Sequence, residues 1–368
     1  MSKTNKPNDK TFMRAALVLA RRGLGAVWPN PAVGCVIVKD DKVVGRGWTQ
    51  PGGRPHAETE ALGRAGSAAA GATAYVTLEP CNHFGKTPPC TLALLDAGVA
   101  RVATAMEDPD PRTDGGGHAK LRSGGIEVHT GVLRDEAAAL NAGFLSRVKT
   151  GRPLVTLKTA TTLDGKIAAR EGASRWITGS EARARGHMLR ASHDAIMVGV
   201  GTAIADAPSL TCRIPGIEDR SPVRVVVDSQ LRLPLESPLV ATARETPTWI
   251  LTVADVNTQD WTDRGVEIVR VAAGADGRVD MASGLDALGA RGVTRLLVEG
   301  GGALAASCLK AGFVETVYWF RASGVMGADG IDAVAAYGIA APDEMARFSR
   351  VDMLPVGEDV MEIYARRD

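Results

Sequence analysis

Apolar and polar positions alternate in two separate series, which divide the chain at the segment KTGRPLV, residues 149–155. In the first series FMRAALVLARR, residues 12–22, spaces its apolar residues three and four apart and predicts a helix. Asp9 is its expected cap and Gly23 its end. PNPAVGCVIVKDDKVVGRGW, residues 29–48, reads as a β-hairpin turning at Asp40-Asp41. HAETEALGRAG (56–66) then reads as a helix, ATAYVTLE (72–79) as a strand, PPCTLALLDAG (88–98) as a helix and RVATAM (101–106) as a strand. LRSGG (121–125) reads as a connector, IEVHTGV (126–132) as a strand, and DEAAALNAGFLSRVKT (135–150) as one closing helix. Strands between helices at this spacing predict a three-layer α/β sandwich.

The second series holds seven expected strands: LVTLKTA, AIMVGV, VRVVVD, TWILTV, VEIVRV, RLLVEG and ETVYWF, between residues 154 and 320. SEARARGHMLRASH (180–193) and ALAASCLKAG (303–312) supply helices between them. This is a second α/β domain, and the expected boundaries are 1–148 and 149–368. After Gly324 the periodicity weakens, and no role is assigned there.

Composition removes several function classes. Net charge is +1 over 368 residues and aromatics are 4%, so neither a basic field nor base-stacking platforms point to nucleic acid. Residues 1–150 carry 19 Lys+Arg against 14 Asp+Glu, and the remainder 24 against 28. Cys35, Cys81, Cys90, Cys212 and Cys308 are odd in number and scattered, which argues for a reducing compartment. No apolar run reaches 18 residues and the N-terminus is polar, so the expectation is a cytoplasmic protein acting on small molecules, away from membranes.

HAE at 56–58 and LEPCNHFGKTPPC at 78–90 carry the candidate chemistry. His56, Cys81 and Cys90 offer three zinc ligands, and three is the number a catalytic zinc takes when one position stays open for water. Glu58 then falls beside the metal as a proton shuttle. H-x-E with P-C-x-x-C is the signature of zinc nucleobase deaminases. Here eight residues separate the two cysteines in place of two, and His83 is an alternative ligand. Cys90 at a helix start would ionise more readily. Cys35, Cys212 and Cys308 read as core thiols, and His118, His129, His187 and His193 as surface or satisfied core groups.

PNPAVGCVIV (29–38), HAE (56–58), EPCNHFGKTPPC (79–90) and MEDPDPRTDGGGHAKLRSGGIEV (106–128) together resemble the bifunctional deaminase–reductase family of riboflavin biosynthesis, in which the long intercysteine loop is the norm. The resemblance covers about residues 10–325. It implies a cytidine-deaminase-like sandwich followed by a dihydrofolate-reductase-like domain, with zinc and NADPH as cofactors. It also implies His56, Cys81 and Cys90 as zinc ligands, Glu58 as catalytic residue, and Asn30, His83 and Lys86 as substrate contacts. The activity implied is deamination of a phosphoribosylamino-pyrimidine, then reduction of its ribosyl group to ribityl. Family members associate, so a homo-oligomer is expected.

In the second half RLLVEGGGALAASCLKAG, residues 295–312, joins a strand to a helix through three glycines, a natural phosphate cradle. A Rossmann fingerprint is absent, since GVGTAIAD at 199–206 lacks the third glycine at its offset. LKTATTLDGKIA (157–168) pairs a strand with an Asp-Gly turn. The resemblance implies that Ala160, Trp176, Thr202, Asp206, Ser229, Gly301 and Gly302 line the cofactor, and that Ser174, Arg190, Leu210, Arg213 and Glu299 contact substrate. Lys158 is a further substrate contact, and Lys158 and Glu299 are both candidates for the reductase's general acid. Asp228 beside Ser229 would by itself favour a free 2′-hydroxyl and NADH. The rival reading is a deaminase of a nucleoside, base or tRNA whose second domain only binds a ligand.

Overall fold

The computed structural model of the protein describes residues 8–85, 87–111, 113 and 115–367. Two compact units divide between Thr150 and Gly151. In the first, a five-stranded sheet runs in the order β2-β1-β3-β4-β5. Its strands are β1 (Gly34–Lys39), β2 (Lys42–Trp48), β3 (Thr73–Val76), β4 (Arg101–Thr104) and β5 (Glu127–His129). β1 is antiparallel to β2 and β3, and β3, β4 and β5 are parallel. The hairpin turns where expected, with Asp40 and Asp41 at φ of 49° and 57°, as a two-residue primed turn requires.

Both faces of this sheet are apolar because alternate strand residues feed different layers. Val36, Val38, Tyr75 and Ala103 pack with Met13, Leu17 and Ala20 of α1 (Asp9–Ala20) and with Ala137 and Leu140 of α5 (Arg134–Leu140). Cys35, Ile37, Ala74, Val76 and Val102 pack on the other side. There they meet Ala57, Ala61 and Ala65 of α2 (Ala57–Ala65), Leu94 of α3 (Cys90–Asp96) and Leu121 of α4 (Gly116–Ser123). Helix α2 lies close on β2 because Gly47 has no side chain: a Cβ there would sit 2.3 Å from the Ala57 carbonyl oxygen. This contact seats the helix that follows His56.

Three expectations are corrected. Asp9 does not cap α1; its fully buried carboxylate takes Arg101 Nη1 and Nη2 at 2.9 and 2.8 Å and the Tyr75 hydroxyl at 2.9 Å. The connector at 121–125 is the end of helix α4, whose glycine-rich start hides the periodicity. The closing helix is two helices, α5 and α6 (Ala142–Thr150). They meet at Asn141, whose amide accepts from Ala32 N at 2.9 Å and donates to Ala32 O at 3.0 Å. That pair pins the segment carrying Asn30.

In the second unit the seven expected strands all form, inside a nine-stranded sheet of order β11-β10-β9-β8-β12-β6-β13-β16-β15. They are β6 (Leu154–Thr161), β8 (Ala195–Gly199), β9 (Val223–Val227), β10 (Thr248–Thr252), β11 (Glu267–Arg270), β12 (Arg295–Glu299) and β13 (Val314–Arg321). All pair in parallel. A small antiparallel pair joins β7 (Lys166–Ala168) to β14 (Ile331–Asp332). The helices that bear on function are α7 (Ser180–Ala191), α8 (Val200–Asp206) and α12 (Gly302–Lys310); the short α9 (Pro238–Ala241) and α10 (Gln259–Thr262) and the apolar α11 (Met281–Ala290) complete the layers. The tail adds β15 (Phe348–Val356) and β16 (Asp359–Arg366), with β16 antiparallel to β13. Seven of the nine residues of β15 are exposed, so it carries no inside–outside alternation for a sequence reading to detect.

Removing one partner of the buried Asp9–Arg101 pair leaves a charge stranded in the core. Asp9→Ala and Arg101→Ala should each cost about 3–5 kcal/mol in urea unfolding of the full chain, and the double variant little more than either single.

Candidate active sites in the two units

The strands β2, β3 and β4 all end at one edge of the first sheet, and the zinc-ligand candidates follow them. His56 is the residue before α2, Cys81 lies in the loop after β3, and Cys90 is the first residue of α3. Their ligand atoms all lie within 4.8 Å of one another. His56 Nδ1 is 3.3 Å from Cys90 Sγ and 3.5 Å from Cys81 Sγ. A tetrahedral zinc with ordinary bond lengths separates an imidazole nitrogen from a thiolate sulfur by about 3.6 Å, so this donor set fits one. His83 stands outside the group, which leaves His56 as its imidazole.

Of the two thiols Cys81 is the one set for metal; Cys90, expected to ionise more readily at its helix start, is instead pushed up by its hydrogen bond to Cys81, by burial and by the charge of Glu58. The Cys90 thiol, the His56 imidazole and the Cys90 backbone N–H hold Cys81 as a thiolate with its pKa lowered to about 4, against the opposing effect of burial. Glu58, in the first turn of α2, is 3% exposed. Burial, aided by the charge of Cys81, raises its pKa to about 7, where a carboxyl can both accept and return a proton.

His56, Glu58 and Cys81 open on a cavity of about 260 Å³ that Asn30 and His83 also line. His83 Nδ1 is buried with no hydrogen-bond partner among the described residues, a polar atom suited to a ligand. Lys86 lies outside the described residues. Arg54 and Arg147 also line this cavity. Sequence reasoning passed over both, although Arg54 in the proline-bracketed segment before His56 offered a positional hint.

The motif residues around the cysteines hold the ligand loop in place. The buried Glu79 carboxylate accepts backbone N–H groups of Asp108, Gly115 and His118 at 3.1, 3.1 and 2.9 Å. This ties the glycine run before α4 to the strand end preceding Cys81. Gly117 makes the approach possible, for a Cβ there would lie 2.2 Å from the Pro80 carbonyl oxygen. His193 is a satisfied core group, bonded to Leu189 and Thr156; His118 is buried with Nε2 on Thr104, while its Nδ1 stands 3.6 Å from the Glu79 carboxylate without a hydrogen bond. Cys35, Cys212 and Cys308 are buried thiols as expected.

In the second unit β6, β8 and β12 end around a cavity of about 450 Å³. It gathers Lys158, Ala160, Ser174, Trp176, Arg190, Thr202, Asp206, Leu210, Arg213, Glu299, Gly301 and Gly302. At its floor Arg190 grips Glu299 with two hydrogen bonds of 2.9 Å, and Lys158 Nζ stands 3.7 Å from the same carboxylate. Burial alone would raise the pKa of Glu299; Arg190 and Lys158 overcome it and hold the value at about 2. Trp176 is exposed, with the Arg183 guanidinium 4.4 Å from its ring centre. Gly301 and Gly302 begin α12 where side chains would meet Thr202 Oγ1 at 2.9 Å and the Asp332 carbonyl at 2.7 Å.

Ser229 stands apart from this lining, past the end of β9, with its hydroxyl accepting Val279 N–H at 3.0 Å. Its neighbour Asp228 is fully buried and accepts Leu233 N–H at 2.8 Å, so it is not placed to hold a ribose hydroxyl. The argument from Asp228 toward NADH therefore falls. His187, expected to be surface or core, lines the cavity instead, on the face of α7 that carries Arg190. Its three-residue offset from Arg190 was the signal available. No helix among the described residues is long and apolar enough to cross a membrane.

Because Gly117 lets α4 reach Pro80, Gly117→Ala should push the Cys81 loop outward. Zinc affinity is expected to fall about 10–100-fold, read by competition with a chromogenic chelator. Unchanged affinity would show that the loop holds Cys81 without α4.

Comparison with known proteins finds relatives for both halves of the chain. Residues 6–106 match the cytidine and deoxycytidylate deaminase zinc-binding region, and residues 153–361 the RibD C-terminal domain. The riboflavin biosynthesis protein RibD of Aquifex aeolicus is 40% identical over 97% of this chain and 98% of its own length. That of Escherichia coli is 40% identical over 96% and 98%. Among solved structures, Acinetobacter baumannii RibD in one crystal form superposes with a TM-score of 0.89 at 36% identity, over 98% of this chain and 99% of that one. A Thermotoga maritima diaminohydroxyphosphoribosylaminopyrimidine deaminase/5-amino-6-(5-phosphoribosylamino)uracil reductase gives 0.87 at 34% identity, over 98% and 99%. Since the likeness spans both halves, the rival reading with a non-catalytic second domain falls, and the chain belongs to the RibD family of bifunctional deaminase–reductases of riboflavin biosynthesis.

Proposed function

We propose that the first cavity removes the ring amine of a phosphoribosylamino-pyrimidine and that the second then reduces the ribosyl group of the product to ribityl with NADPH. The observation that carries the first step is Glu58, buried with a pKa of about 7 beside His56, Cys81 and Cys90. Zinc held by those three residues supplies a water acidic enough to lose its proton near neutral pH. Glu58 takes that proton and returns it to the departing amine, which leaves as ammonia. His83 Nδ1 and Asn30 hold the pyrimidine edge, and Lys86 meets the phosphate.

In the second cavity NADPH supplies hydride. Thr202, Asp206, Ala160, Trp176, Gly301 and Gly302 line its place, and Ser229, one strand further along the sheet edge, receives the far end of the cofactor. Ser174, Leu210, Arg190 and Arg213 contact the substrate, with Arg213 toward its phosphate. Glu299, ionised down to about pH 2, has no proton to give, so of the two candidates Lys158 is the general acid and Glu299 the group that orients it and Arg190. A cytoplasmic setting suits five free thiols. The near-neutral charge favours small substrates over nucleic acid. Val351 and Met353, exposed on the edge strand β15, support a homo-oligomer, which sedimentation would test.

Glu58→Gln should keep its zinc but lower ammonia release about 10²–10⁴-fold, measured by coupled ammonia assay beside metal analysis. Ammonia release at the wild-type rate would remove Glu58 from the mechanism.

A further inference from the structure

Helix α7 turns one face to the second cavity, and Arg183, Gly186, His187 and Arg190 lie along it. Opposite runs the loop from Asp206 to Arg213, in which Ala207 and Leu210 hold φ of 40° and 55°. Neither is glycine, so outside contacts must hold the loop in this shape. Two of those contacts converge on the Thr211 carbonyl: Arg190 Nη1 at 3.0 Å and His187 Nδ1 at 3.2 Å. From beneath, the buried Arg224 donates to the Ser209 carbonyl at 3.4 Å. The second nitrogen of His187 faces the other way. Arg213 Nε donates to His187 Nε2 at 3.4 Å. A carbonyl can only accept, so Nδ1 carries the imidazole proton and Nε2 keeps the lone pair.

We propose that His187 is a positioning residue whose neutral imidazole holds the Arg213 guanidinium at the cavity wall, and that protonation at Nε2 releases it. The inference rests on the reading of Arg213 as a phosphate contact. A protonated imidazole has only donors, and it would set a second positive charge against the guanidinium. The surroundings favour the neutral form: burial, Arg190 and Arg213 lower the pKa of His187 from 6.5, against the opposing effects of Glu299 and the hydrogen bond to the Thr211 carbonyl. Arg183 on the same helix face is a further cation, and Lys158 of β6 stands behind Glu299. A lowered folded-state pKa means that the latch is fully made above pH 6.5 and is lost only as the pH falls through that lower value.

The test follows NADPH oxidation by the full chain on the deaminated substrate, from about pH 4.5 to 8. It compares wild type with Arg213→Ala, His187→Ala, His187→Gln and the double alanine variant, each checked by thermal unfolding. His187→Ala should raise KM about tenfold with kcat little changed. The double variant should be no worse than Arg213→Ala, since one residue acts through the other. Glutamine can accept from Arg213 but cannot titrate. His187→Gln should therefore keep a low KM at pH 8 and lack the additional rise that wild type shows in acid. Taking the ratio of the two profiles cancels titration of the substrate phosphate. Additive KM effects, or a glutamine variant with the wild-type profile, would overturn the proposal. If Arg213→Ala leaves KM unchanged, the phosphate reading of Arg213 is itself wrong and the role given to His187 goes with it.

Discussion

Parallel strands deliver the chain to one edge of their sheet, and both sites depend on this constraint. At that edge the chain leaves each strand with its backbone groups unpaired and begins a helix or a loop. In the first unit β2 and β3 hand over to His56 and Cys81, and helix starts carry Glu58 and Cys90. In the second, β6 and β12 carry Ala160 and Glu299 at their ends, and β8 hands over to the helix that holds Thr202. A ligand set that spans 35 positions in sequence, from His56 to Cys90, is local in space for this reason alone. The helices then supply what the strands cannot, namely side chains angled over the edge.

Charge burial is handled differently at the two sites, and the difference follows their chemistry. Glu58 is buried with a thiolate for company, and its proton affinity rises into the working range. Glu299 is equally buried, but Arg190 and Lys158 press on it and it stays ionised. One carboxyl is set up to exchange protons, the other to orient cations. In the core, Asp9 and Arg101 repeat the second arrangement without any chemistry attached. A buried, perturbed carboxylate is thus not by itself a functional sign; its neighbours decide.

How far the sequence reveals this varies with the range of the interaction. The Asp40-Asp41 turn, the strands and the helix starts at Ala57 and Cys90 are local features, and the residue pattern carried them. The zinc cluster was legible because its motif is short and chemically unusual. What stayed hidden depends on distant partners. Asp9 reads as a cap until Arg101, 92 residues away, claims it, and Asn141 reads as mid-helix until Ala32 does. α4 was masked by the glycines that let it approach Pro80. β15 was masked because neither of its faces is covered. His187 reads as an ordinary helix residue until the loop carrying Thr211 and Arg213 folds over it.

The central claim is that two self-sufficient sites act in order, deamination before reduction. Supplying Glu58→Gln in turn with the amino-pyrimidine and with its deaminated product, and following NADPH absorbance, tests it most directly. The account predicts no oxidation with the first compound and the wild-type rate with the second. Oxidation of NADPH on the amino-pyrimidine would contradict the order, and loss of activity on both compounds would contradict the independence of the sites.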